Sequence, residues 1–399
     1  MVICCFVSFR YQPDDIFTGL IINNMFKRIV FPLLLSVSVS TLWAQQYYLF
    51  TGTYTNGTSE GIYVYRFDAS TGQVEGVDTA RGIEQPSYLT ISENGDYLYA
   101  VSETGGDKPG QITAYSFDKS IGKLKLLNTR PSLGDHPCYI TVSENRKWVI
   151  AGNYSGGNIV AYKVNEDGSL SDQHQLINHE GKSINSERQE APHVHATVIT
   201  PDGDYLLAPD LGTDKIMVYR FKENARRNPL SKAKVPYVDI HPGSGPRHLA
   251  FHPNRKWVYL MEEMTGEVSG YRYKNGKLQS FDNIDGHPAE YKGSRGSADI
   301  HISPDGKNLY TSNRYEANNI GIFMIDPRSG KLKNTGFQDV IGKKPRNFVI
   351  EPSGKYVLVA NQDTNDIRFF RRDSSTGSLT PTETVITVGS PVCLKLFPY

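Results

Sequence analysis

His195, Arg247, Glu263 and Arg314 are the residues on which chemistry in this chain would rest. An imidazole or a carboxylate can take a proton from water, and a guanidinium can hold negative charge that develops as bonds change. Their positions are not independent. Each lies eight residues before or after the second residue of a tight turn, and such turns recur at Gly95, Arg146, Gly203, Arg255, Gly306 and Gly354. The same count places Glu103, Tyr154 and Arg346 at equivalent points, together with Ser87, Cys138, Leu211, Ala298 and Gln362. One residue earlier than the later set come Asn153, Asp210, Glu262 and Asn313. The two sets flank a hairpin symmetrically, which makes them cross-strand neighbours at the end away from the turn. Ionisable groups gathered in this way are costly unless they pair or act on something. A structural ion-pair network, Arg247 with Glu263 and Arg314 with Glu262, is the alternative. The gathering of charge on adjacent repeats favours function.

The elements that must hold these residues are short strands. One pattern recurs: it reads PSYLTISENGDYLYAVSE from Pro86, PRHLAFHPNRKWVYLMEE from Pro246 and SADIHISPDGKNLYTSNR from Ser297, with further copies from Pro137, Val194 and Pro345. Asn94-Gly95, Asp202-Gly203 and Asp305-Gly306 are hairpin turns, because these residues accept positive φ at small cost. Each period of about 50 residues holds a second hairpin-like pair, and four short strands per such period mark a β-propeller blade. The segment Pro391–Pro398 matches the first strand of the pattern and Tyr47–Tyr54 the second. Joining them gives one more blade. The expected fold is therefore all-β: a seven-bladed propeller of four-stranded antiparallel blades, one domain over residues 45–399, closed by pairing of N- and C-terminal strands. Its innermost strands surround a channel, with the matched positions as a polar ring at one mouth.

Composition excludes several classes. Lys+Arg 43 against Asp+Glu 42 gives a formal charge of +1, so there is no field for nucleic acid or an anionic membrane. An aromatic content of 11%, with 24 Tyr, excludes disorder and coiled coil, and a hydrophobic content of 38% is too low for a multi-span membrane protein. Met25-Phe-Lys27-Arg28, the apolar run Ile29–Val39 and the small residue Ala44 read as a secretory signal cleaved near Ala44. Residues 1–24 then represent a start assigned too early, and the mature protein is exported, to the periplasm, without a membrane span. A buried helix or strand is the competing reading of this segment. Cys138 and Cys393 fall in different blades and are expected as separate buried thiols. There is no Cys-x-x-Cys or zinc-ligand spacing and no Gly-x-Ser-x-Gly elbow, so neither a metal, a cofactor nor a covalent nucleophile is expected.

Several motifs carry a resemblance: Thr51-Gly-Thr-Tyr54, Ala151-Gly-Asn-Tyr154, Pro192-His-Val-His195, Gly245-Pro-Arg-His248, Ile302-Ser-Pro-Asp-Gly306 with Ser312-Asn-Arg314, and Ala360-Asn361. Together they resemble the seven-bladed β-propeller lactonase family, which includes propeller-type 6-phosphogluconolactonases and carboxymuconate cyclases, across Tyr47–Tyr399. The resemblance implies hydrolysis of a sugar lactone to its aldonic acid, and it places the family's active-site group on His195, Arg247, Glu263 and Arg314. On this reading Glu263 or His195 is the general base, and Arg247 holds the oxyanion. Arg314, with Arg346, grips a carboxylate or phosphate of the small-molecule substrate by its planar fork. His193, Tyr154, Asn153, Glu103, Arg346 and Glu262 are the expected substrate contacts.

Two departures from the family pattern stand out. The usual Asn-Glu-Leu reads Glu262-Glu263-Met264, which adds a carboxylate unfavourable to a phosphorylated substrate, and the export signal does not fit a cytosolic pathway. The rival functions are a carboxymuconate-type lactonizing cyclase and a non-catalytic exported propeller that binds a glycan or protein partner. A metal-dependent lactonase using His193, His195, Asp210, Glu262 and Glu263 lacks a recognisable ligand spacing. His193 also has a reading as a loop residue at a bend. His248 and His301 fall on the opposite face of their strands by simple alternation, which makes them structural. The polar loop Asn178–Glu190 is either a substrate lid or a solvated insertion. Oligomeric state is not legible.

Overall fold

Alternating apolar runs, broken every few residues by turn chemistry, fold into 28 strands in seven four-stranded antiparallel sheets. The computed structural model describes residues 46–399; the expected leader and its cleavage point lie outside the described residues. Blades 1 to 7 begin with the inner strands Leu89–Ile91, Pro137–Val142, Val198–Ile199, Pro246–Phe251, Ser297–Ile302, Pro345–Ile350 and Pro391–Pro398. The last of these pairs with Gln46–Thr53, running from Tyr47 opposite Pro398 to Thr53 opposite Pro391, so the two ends complete one blade. The propeller and its closure are as expected. Among the described residues no helix is long and apolar enough to cross a membrane.

The turn assignment holds at each repeat. Gly95, Arg146, Gly203, Arg255, Gly306 and Gly354 all have φ between 58° and 75°, the left-handed conformation that tightens the hairpin. Blade faces are sealed by apolar side chains such as Leu98, Ile150, Leu206, Val258, Leu309 and Leu358, none of which reaches solvent. Polar clips join neighbouring blades. The hydroxyls of Tyr48, Tyr99, Tyr259 and Tyr310, and the indole N–H of Trp148, donate to carbonyls in the outer turn of the next blade at 2.6–3.0 Å. Such buried rings need a partner for their polar end, and the neighbouring turn provides it.

One irregularity matters for the site. In blades 2, 4, 5, 6 and 7 the inner ladder slips at the ring position, between Pro137 and Tyr139, Pro246 and His248, Ser297 and Ile300, Pro345 and Asn347, and opposite Gly52/Thr53. A bulge breaks strict alternation, so two successive residues can face the same side. Arg247 and His248 therefore both lie in the channel, with His248 packed on Tyr88, Tyr139 and His195 at centroid distances of 5.9, 5.2 and 5.3 Å. The opposite-face assignment of His248 is thereby corrected.

Candidate active site

Glu263 sits just beyond the strand Trp257–Glu262, with its backbone N–H bound to the carbonyl of Gly245 at 2.7 Å. Gly245 has a φ of 68°, and a Cβ there would meet Met264, so the Gly-Pro-Arg-His turn needs glycine to bring Arg247 and Glu263 together. The carboxylate is buried among cations. Its Oε2 accepts from Arg247 Nε at 2.9 Å and lies 3.1 Å from Arg314, while Oε1 accepts from Arg188 at 2.7 Å. His195 Nε2 is 3.9 Å from Oε2. Burial opposes the charge on Glu263, but the guanidiniums of Arg314, Arg247 and Arg188 outweigh it and hold the carboxyl well below its usual range.

His195 is carried by blade 3, where the inner strand is interrupted and Val194 makes an isolated bridge to Asp210. Burial, followed by the charge of Arg247, keeps its imidazole pKa well below 6.5, so the ring is neutral at neutral pH. Its Nδ1 lies 3.7 Å from Cys138 Sγ. Across the opening, Tyr54 donates to Glu103 at 2.9 Å, and Arg346 lies 3.8 Å from the same carboxylate and over the Tyr54 ring.

These groups line one pocket of about 260 Å³, formed by Tyr54, Glu103, Cys138, Tyr154, Arg188, His195, Glu263, Arg314, Tyr315 and Arg346. The structure thus gathers His195, Glu263, Arg314, Glu103, Tyr154 and Arg346. Four others lie outside this lining. Arg247 lies behind Glu263, also donating to the Ala298 carbonyl, and braces the carboxylate. Asn153 is wholly buried, its amide tied to the Ser132 carbonyl at 2.9 Å and to Asn158, and it holds a loop in place.

Glu262 accepts from Ser269 at 2.6 Å and Thr265 at 3.1 Å. Burial raises its pKa, and Glu262 is not among the residues that line the pocket. Arg314 pairs with Glu263, not Glu262. His193 also lies outside the lining; its ring stacks on Tyr154 at 4.5 Å and props that phenol over the opening. Asp210, weighed as a metal ligand, is occupied by His179 at 2.6 Å and by the backbone N–H groups of His193, Gly212 and Thr213.

Sequence reasoning gave no functional role to three lining residues. Arg188 comes from the Asn178–Glu190 loop and belongs to no repeat position; its signal was the length and polarity of that loop, which raised the reading of a substrate lid. Tyr315 follows the Ser-Asn-Arg motif and lies under the Arg314 guanidinium at 5.5 Å. Cys138, counted at a ring position and expected as a buried thiol, forms pocket wall; burial, then Glu103, raises its thiol pKa, so it stays protonated. Among the described residues Cys138 and Cys393 are both free thiols.

Beneath the pocket, His248 Nδ1 binds Asp299 at 2.8 Å, and Asp299 also meets His301 at 3.0 Å and Asn347. Burial, then Arg247, pulls the His248 pKa down from 6.5 to about 3. The unfolded chain binds a proton below pH 6.5 where the folded chain does not. The stabilisation is therefore complete above that value and falls by about 1.4 kcal/mol per unit of further acidification. His248 alone should account for roughly 2 kcal/mol of the stability lost between pH 7 and pH 5 in urea unfolding, and the buried His195 and His287 add to that loss. His248→Gln should make the acid-side loss smaller by about that amount; parallel profiles would reject the assignment.

An all-β propeller with a buried imidazole, carboxylates and guanidiniums in one pocket carries the groups that an ester hydrolase needs. The chain belongs to the seven-bladed β-propeller lactonase family: the family model described as "Lactonase, 7-bladed beta-propeller" matches residues 48–396. It is similar to a 6-phosphogluconolactonase of Formosa agariphila, 36% identical over 88% of this chain and 99% of the relative. It is likewise similar to a 6-phosphogluconolactonase of Bacillus subtilis, 34% identical over 88% and 98%. Among solved structures, a periplasmic gluconolactonase of Pseudomonas aeruginosa superposes with a TM-score of 0.84 at 39% identity, covering 88% of this chain and 99% of that one.

Proposed function

We propose that the protein hydrolyses a sugar lactone of the gluconolactone type, with 6-phosphogluconolactone as the preferred form. One observation carries the reading: a neutral imidazole nitrogen 3.9 Å from a carboxylate oxygen, inside a small pocket ringed by guanidiniums. Water positioned by His195 Nε2 and Glu263 gives a proton to the imidazole as its oxygen attacks the lactone carbonyl carbon. Glu263 is a poor proton acceptor while three guanidiniums hold it, but it is a suitable counter-ion for the imidazolium that forms. Arg314 and Arg346 face the pocket and hold the tetrahedral oxyanion; Arg247 fixes Glu263 from behind. Collapse breaks the ring C–O bond, and the imidazolium returns its proton to the leaving alkoxide. The product is the open hydroxy acid.

Export to the periplasm is part of the same proposal. It rests on the basic and apolar segment from Met25 and on the periplasmic gluconolactonase among the similar structures. A hydrolysis panel on the chain beginning at Gln45 tests the activity: 6-phosphogluconolactone, glucono-δ-lactone and muconates, each against buffer. Lactone opening well above the buffer rate is expected. Turnover of muconates alone would instead favour the cyclase.

A further inference from the structure

Arg188 stands apart from the other pocket cations. The side chains of Arg247, Arg314 and Arg346 are 2%, 5% and 15% exposed, whereas that of Arg188 is 41% exposed. It sits at the lip, where an entering ligand arrives first. Its backbone, by contrast, is fixed. Asn185 Oδ1 accepts from the N–H groups of Glu187 and Arg188, both at 3.0 Å. Gln189, wholly buried, donates to the Leu211 carbonyl at 2.9 Å and to Asp214 at 2.7 Å. Asp214 in turn accepts from the Gly245 N–H at 2.8 Å, so one carboxylate joins this strap to the turn that carries Arg247. The strap is a rigid mount for a reachable side chain.

The bonds that Arg188 makes are few. Among the described residues, one terminal nitrogen serves both Glu263 at 2.7 Å and the Tyr154 hydroxyl at 3.2 Å. The rest of the planar fork is left for an incoming group. The charge count also asks for an anion. Four guanidiniums, Arg188, Arg247, Arg314 and Arg346, surround two carboxylates, Glu103 and Glu263; Asp299 lies beneath and acts on Arg247, and Glu262 is turned elsewhere. Positive charge still exceeds negative, which favours an anionic group.

We infer that Arg188 is the specificity residue of this pocket: it exchanges its bond to Glu263 for a phosphate ester on the far end of the substrate. The inference rests on the lactonase reading above and adds substrate selection to it. Binding of the phosphorylated lactone removes one cation from Glu263, which leaves the carboxylate better able to stabilise the His195 imidazolium. A lactone without phosphate leaves Arg188 in place on Glu263.

Steady-state kinetics on 6-phosphogluconolactone and glucono-δ-lactone test this with the wild type, Arg188→Gln and Arg188→Lys. The preference for the phosphorylated lactone is expected to fall about 10- to 100-fold in Arg188→Gln, the scale of a charge-assisted hydrogen bond, and chiefly through KM. Arg188→Lys should recover part of it, and inhibition by inorganic phosphate should weaken in parallel. An unchanged preference with unchanged phosphate inhibition would overturn the inference. If the wild type opens neither lactone, the lactonase reading fails separately. Calorimetric titration with inorganic phosphate then still decides whether Arg188 is an anion-binding group: weaker binding by Arg188→Gln supports it, and equal binding refutes it.

Discussion

Glu263→Gln is expected to lower kcat/KM for the preferred lactone by at least about 10²-fold, the scale of losing an acid–base or charge-stabilising group. The amide keeps the shape of the side chain but cannot balance the imidazolium or the three guanidiniums held within 3.1 Å of the carboxylate. Leaving buried cations without their counter-charge also costs stability, on the order of 3–5 kcal/mol. The variant should therefore melt earlier, yet bind inorganic phosphate more tightly because the cations are released. That opposite movement separates loss of chemistry from loss of fold. His195→Asn should lose activity on a similar scale if the imidazole is the base. Wild-type rates in both variants would reject the site.

Removing Pro391–Tyr399 is expected to abolish cooperative folding, seen as loss of a thermal transition and of soluble protein. The strand Pro391–Pro398 supplies the inner strand of blade 7, and Val392, Cys393 and Leu394 are 2%, 0% and 1% exposed. Each buried apolar side chain contributes roughly 1.5–3 kcal/mol. The deletion also unpairs the ladder from Tyr47 to Thr53 and removes the Asn347–Leu394 hydrogen bond of 2.6 Å. Together these losses approach the whole stability of an ordinary domain, roughly 5–15 kcal/mol. Leu394→Ala is the graded control, expected to cost about 2–5 kcal/mol while leaving the ring closed. A truncated chain that still melts cooperatively would show that the ring holds with only three strands in blade 7.

The fold was legible because the turn residues repeat, and the left-handed φ at Arg146 and Arg255 shows that register counting worked even where glycine is missing. Counting also gathered His195, Glu263, Arg314, Glu103, Tyr154 and Arg346, since equivalent positions in a ring must converge. It failed where alternation fails. The bulge between Pro246 and His248 sends Arg247 behind Glu263 and puts His248 in the channel, and no pattern of apolar residues reports a bulge. Asn153 and Glu262 lie one residue from ring positions, but their short-range partners, Asn158 and Ser269, hold them outside the pocket lining. Arg188 was out of reach for another reason: its loop lies outside the repeat, and a non-repeating insertion gives a register argument nothing to count.

The pairing of Gln46–Thr53 with Pro391–Pro398 has a bearing on how the protein is made. The first described strand leaves the ribosome early but finds its inner neighbour only after every other strand has emerged. Vectorial synthesis therefore produces an arc of blades with two raw flanks for most of the translation time. Contacts of such long sequence separation form slowly, and an unmatched flank is an invitation to other chains. Yield should thus respond to chaperone supply and to elongation rate more than to the chemistry at the channel mouth.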